Sequence, residues 1–99
     1  MKFGEAVRDL RQKQGIGIKK LAPTLGVEHT YISKIENGHA TPSEELIERM
    51  ARYFRYDQDE LLILAEKLPE DVKEILRSNS REAIEFLRAR FSGSSDRRP

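Results

Sequence analysis

Two histidines, His29 and His39, are the only imidazoles in this sequence, and no cysteine accompanies them. Without Cys there are no disulfides, thiol nucleophiles or Cys-built zinc sites. His29 and His39 lack the His-x-x-x-His spacing that sets two imidazoles on one helix face, and Glu36 between them does not complete a ligand set. Gly15-Ile16-Gly17 has no preceding strand and no third glycine, so it is not a nucleotide loop. No enzyme, metal or cofactor is expected. What remains is charge. Residues 1–39 carry Lys2, Arg8, Arg11, Lys13, Lys19, Lys20 and Lys34 against Glu5, Asp9, Glu28 and Glu36. That half is +3 in a chain of net +1, so the remainder is −2 and the amino-terminal half is the one suited to a polyanion.

The elements that must position this charge follow from apolar spacing. Phe3, Ala6, Val7 and Leu10 predict a helix from Phe3 to Gln14, ended by Gly15. Gly17 caps a second over Ile18 to Leu25, and Gly26 supplies a left-handed turn. A third runs from Glu28 to Asn37, with Ile32 and Ile35 inside and Gly38 as its stop. Thr41-Pro42-Ser43-Glu44 reads as a capping box that starts the fourth helix at Pro42, with Leu46, Ile47, Met50, Ala51 and Phe54 as its stripe. The Asp57 and Glu60 pair caps a fifth, which holds Leu61 to Ala65. Pro69 opens a sixth, and Asn79 with Glu82 caps a seventh.

One small all-α domain is therefore predicted at residues 1–66, followed by a helical extension at 67–91 and a disordered tail at 92–99. The 37% hydrophobic content allows a modest core, and 35% charged residues suit a soluble helical surface. The apolar run Leu61 to Ala65 is far too short to span a bilayer, and the amino terminus lacks a basic-then-apolar signal. No membrane association and a cytoplasmic address are expected.

The second and third helices meet the demands of a helix-turn-helix. A close crossing needs a small residue, here Ala22; the turn needs glycine, here Gly26; the shared core takes Leu21, Leu25, Val27, Ile32 and Ile35. On Leu21-Ala22, Leu25-Gly26-Val27, Tyr31-Ile32-Ser33, Ile35-Glu36-Asn37-Gly38 and Pro42, residues 3–64 resemble the phage-repressor (Cro/Xre-type) helix-turn-helix family. That resemblance implies a five-helix DNA-binding domain, carrying two additional C-terminal helices here. The third helix would enter the major groove while the second lies across the backbone.

Carried onto this sequence, the family's base-reading positions are His29, Thr30 and Lys34. Lys34 can donate to guanine O6 or N7, Thr30 offers a hydroxyl and a methyl, and neutral His29 one donor and one acceptor. Tyr31 and Asn37 match backbone-contact positions, and Lys19 and Lys20 lie at the start of the second helix, where open N–H groups favour phosphate. At each position the alternative is a plain solvated or core-rim role. The family also sets an arginine beside the acid of the third helix, which here is Arg11 beside Glu36; Lys13 is the alternative partner.

Three positions depart from the family pattern. Ile18 stands where glutamine often contacts phosphate, Glu28 is a weaker cap than Ser or Thr, and Pro23 interrupts the second helix. An interior proline costs about 3 kcal/mol. Its position limits the damage, because the carbonyl that loses its partner, Lys19, lies in the first turn.

In the extension, Val72, Ile75, Ile84, Leu87 and Phe91 form an apolar stripe that needs a partner. One expectation is a homodimeric transcription regulator, most simply a repressor on a near-palindromic double-stranded DNA site. The other is an antitoxin or adaptor whose stripe binds a protein partner while the chain regulates its own promoter. Folding of these helices back onto their own domain is a third arrangement.

Overall fold

The computed structural model describes residues 1–92; the rest of the expected tail at 92–99 lies outside the described residues. Seven α-helices and no strand occur among them: α1 (Phe3–Lys13), α2 (Ile18–Leu25), α3 (His29–Glu36), α4 (Glu44–Phe54), α5 (Gln58–Leu64), α6 (Glu70–Ser78) and α7 (Ser80–Phe91). The chain divides into one unit at Met1–Lys67 and a second beginning at Leu68.

The first unit encloses one apolar core. Phe3 and Val7 of α1, Leu21, Ala22 and Leu25 of α2, and Ile32 and Ile35 of α3 meet the stripe of α4 and Leu61 and Leu62 of α5. Leu21, Ile32 and Ile47 are wholly buried, each worth about 2 kcal/mol of apolar transfer.

Each of the first five helices ends in a reversed turn that returns two N–H groups to its last carbonyls. At α2, Val27 N–H donates to Ala22 O at 3.0 Å and Gly26 N–H to Pro23 O at 3.1 Å, with Gly26 at φ +75°. Gly15 and Gly38 serve α1 and α3 in the same way. At α4 and α5 the left-handed residue is Arg55 (φ +57°) or Glu66 (φ +62°), which pay a steric cost that glycine avoids.

Two expected helix starts are corrected. α4 begins at Glu44 rather than Pro42, because Ser43 is the cap: its Oγ accepts from Leu46 N–H at 3.2 Å. Pro42 instead sits one residue before the cap and is fully buried, as is Ile47; these are the two positions of a hydrophobic staple. The Asn79–Glu82 capping box does not form. Asn79 Nδ2 donates back to Ile75 O at 3.0 Å, and Ser80 Oγ to Leu76 O at 2.9 Å, so these side chains close α6 rather than open α7. α3 starts at His29, with Glu28 as a cap residue whose side chain makes no capping bond.

Pro23 leaves α2 unbroken over Ile18–Leu25. It lies on the exposed face, so the hydrogen bond it cannot donate is lost next to water.

The second unit consists of α6 and α7, and no residue of either helix is buried. Ile75, Ile84, Leu87 and Phe91 are exposed, and Phe86, absent from the sequence reading, is 63% exposed.

Candidate nucleic-acid interface

The period that buries Ile32, Ile35 and Glu36 on the inner side of α3 turns His29, Thr30 and Lys34 outward, all exposed. Thr30 and Lys34 are four residues apart and Asn37 three further on, so they are neighbours on one face. Tyr31 departs from this set: it is half-buried, and its hydroxyl donates to Thr41 O at 3.5 Å. Lys19 and Lys20 are exposed in the first turn of α2. There Lys20 and Leu21 donate to the Gly17 carbonyl, and the N–H groups of Ile18 and Lys19 lie at the open end of the helix.

Glu36 is the one buried charged residue among those described, 5% exposed, and two arginines of α1 hold it. Arg11 engages it as a fork: Nε donates to Oε2 at 2.7 Å and Nη2 to Oε1 at 3.0 Å. Its remaining arm donates from Nη1 to Ile16 O at 3.0 Å, tying the α1–α2 turn to the same group. Arg8 adds Nε to Glu36 Oε1 at 3.3 Å and Nη2 to Asn37 Oδ1 at 2.8 Å. The hydrogen bond from Arg11 to Glu36, and then the nearness of that carboxylate, hold the guanidinium above its ordinary range against the opposing effect of burial. Lys13, the alternative partner, pairs with Asp9 instead.

This clamp requires α1 and α3 to lie very close. Gly4 provides the space: a Cβ there would collide with the Ile35 carbonyl oxygen and lie 2.8 Å from that of Glu36. Gly4, Arg8 and Arg11 follow one another at steps of four and three residues, a single stripe of α1 facing the end of α3. Sequence reasoning missed Gly4 and Arg8, and that spacing is the signal that would have found them. It also missed Arg49, whose Nε donates to Leu25 O at 3.2 Å and anchors the end of α2 to α4.

No helix among the described residues is long and apolar enough to cross a membrane, and no group of three metal-ligating side chains occurs among them.

A short helix fastened across a glycine turn, its inner face in the core and its outer face polar and cationic, defines a helix-turn-helix DNA-binding domain. Residues 2–62 match the helix-turn-helix domain family, and the chain belongs to it, within the phage-repressor (Cro/Xre) type of transcription regulator. The uncharacterised HTH-type transcriptional regulator RghRB of Bacillus subtilis is 32% identical over 73% of this chain and 55% of its own length. The competence pilus inhibition repressor of Acinetobacter baylyi is 34% identical over 69% of this chain and 62% of its own. The chain thus spans less than two thirds of the length of either of these curated relatives. The crystal structure of the clp gene regulator ClgR from Corynebacterium glutamicum shares the fold, with a TM-score of 0.57 at 22% identity over 90% of this chain and 89% of that one.

Proposed function

We propose that the protein is a sequence-specific double-stranded DNA-binding regulator, acting as a dimeric repressor in the cytoplasm and reading a near-palindromic operator with residues 28–37 in the major groove. The observation that carries this reading is the division of labour on α3: Glu36, Ile32 and Ile35 anchor it, while His29, Thr30 and Lys34 are exposed. Each of these three side chains has hydrogen-bonding groups suited to base edges. Lys19, Lys20 and Asn37 contact the flanking backbone, with Tyr31 at the groove edge.

Two recognition helices on one near-palindromic site need two copies of the chain, spaced about one helical turn, ~34 Å, apart. The stripe Val72, Ile75, Ile84, Leu87 and Phe91 supplies the self-contact. Four of the five are exposed, which favours a partner over a role in their own core.

Selection of bound duplexes from a random DNA pool tests the readout, with His29→Ala, Thr30→Ala and Lys34→Ala run beside the wild type. Lys34→Ala is expected to lose about 1–3 kcal/mol and to relax preference at one base pair. The same selected sequence for all three variants would remove the assignment. Truncation after Leu68 tests the stripe: a shortened chain that stays dimeric and binds DNA normally refutes the self-contact.

A further inference from the structure

The Glu36 clamp leaves hydrogen-bond donors unspent at its exposed edge. A guanidinium has five N–H donors and no acceptor. On Arg8, Nε donates to Glu36 Oε1 at 3.3 Å, and the two Nη2 hydrogens go to Glu36 O at 3.4 Å and Asn37 Oδ1 at 2.8 Å. The two Nη1 hydrogens have no acceptor among the described residues, and the side chain is 40% exposed. Because arginine can only donate, the Asn37 atom it holds is the carbonyl oxygen, so both Nδ2 hydrogens of that amide remain to be given elsewhere. Asn37 is exposed as well.

The electrostatics at this corner favour an anion. Glu36 is matched by two arginines, and the 2.7 Å bond to Arg11 is much tighter than the 3.3 Å bond to Arg8. Arg8 therefore keeps the less committed charge. A helix C-terminus ordinarily repels an anion through its open carbonyls. At α3 all four are occupied: Ser33 O accepts from Asn37 N–H, Lys34 O from His39 N–H, Ile35 O from Gly38 N–H, and Glu36 O from Arg8 itself.

We infer that Arg8 and Asn37 form one shared phosphodiester-binding site at the end of α3, with Arg8 both a direct ligand and the group that orients the Asn37 amide. The site rests on the DNA-binding reading above. It takes a single backbone phosphate, and its contribution is independent of base sequence.

The test uses the full chain and the duplex enriched in the selection, with an unrelated duplex alongside, and titrates affinity against salt. Arg8→Gln and Asn37→Ala should each weaken binding roughly tenfold on both duplexes. Arg8→Gln should also lower the salt slope by about one per protomer, since one cation–phosphate contact is lost. Arg8→Lys should keep the slope and lose only part of the affinity, because it retains charge without the fork. The double variant should bind little more weakly than Arg8→Gln, as both residues serve one phosphate. Fully additive losses overturn the shared site. An Arg8→Gln protein that melts lower yet keeps the wild-type slope overturns the ligand role. Asn37→Ala and Arg8→Lys keep the helix-ending bonds or the charge, so they report even where Arg8→Gln unfolds. A wild type that retains no duplex removes this inference together with the DNA-binding reading, whereas a wild type that binds beside unaffected variants removes the inference alone.

Discussion

Gly4→Ala sets two physical effects against each other, and the structure decides the sign. Alanine is the better helix former, worth up to about 1 kcal/mol over glycine in a helix interior and less near the start, where Gly4 lies. Against this, the new Cβ would overlap the Ile35 carbonyl oxygen and stand 2.8 Å from the Glu36 oxygen, both rigid backbone atoms. Restoring an ordinary contact needs α1 and α3 to separate by roughly 1 Å or more. Such overpacking costs about 1–3 kcal/mol, and the same shift stretches the 2.7 and 3.0 Å bonds from Arg11 to Glu36. A net loss of about 1–3 kcal/mol follows, a fall in Tm of roughly 5–20 °C for a domain this small. Thermal and urea unfolding followed by circular dichroism would measure it. Gly17→Ser is the control: no atom lies within 4 Å of its Cβ, φ is −80°, and serine caps α2, so a gain of about 0.5–1 kcal/mol is expected. A Gly4→Ala protein as stable as the wild type, or more so, would show that the close approach of α1 and α3 is not a constraint on the fold.

Glu36→Gln should cost about 3 kcal/mol in urea unfolding, chiefly by leaving Arg11, whose side chain is only 13% exposed, without a countercharge, while the more exposed Arg8 is screened by solvent. Arg55→Gly should raise stability by about 1 kcal/mol, since the left-handed position that ends α4 carries a Cβ penalty; an unchanged denaturation midpoint would show that the arginine gains as much elsewhere. Lys34→Ala should leave the melting temperature within experimental scatter of the wild type, because its side chain is exposed, even as it relaxes base preference.

The helical frame was legible because its signals are local. The three- and four-residue recurrence of Leu21, Leu25, Ile32 and Ile35 defines inner faces, and Gly15, Gly26 and Gly38 mark the ends where only a left-handed residue fits. His29, Thr30 and Lys34 as outward positions follow from the same period. Choices between adjacent polar residues were harder to read. Thr41 and Ser43 both offer a capping hydroxyl, and burial of Pro42 is what selects Ser43; Asn79 bonds backward to Ile75 O although the open N–H groups of α7 lie ahead of it. Contacts over long sequence separation were the least legible. Arg8 is 28 residues from Glu36 and Arg49 is 24 from Leu25, and no periodicity reports which acceptor a long cationic side chain will reach. Gly4 is silent for another reason: its role is the absence of atoms where another helix passes.

The anchoring of α3 has a consequence for how such a protein can change. The side chains that fasten this helix are Ile32, Ile35, Glu36 with its bonds to Arg8 and Arg11, and half-buried Tyr31 with its bond to Thr41 O. The side chains of His29, Thr30 and Lys34 take no part in it. These three positions can therefore be rewritten with little penalty to folding, and under the base-reading role proposed for them one scaffold is diverted to new target sites by a few point changes, in evolution or in a library randomised at those codons.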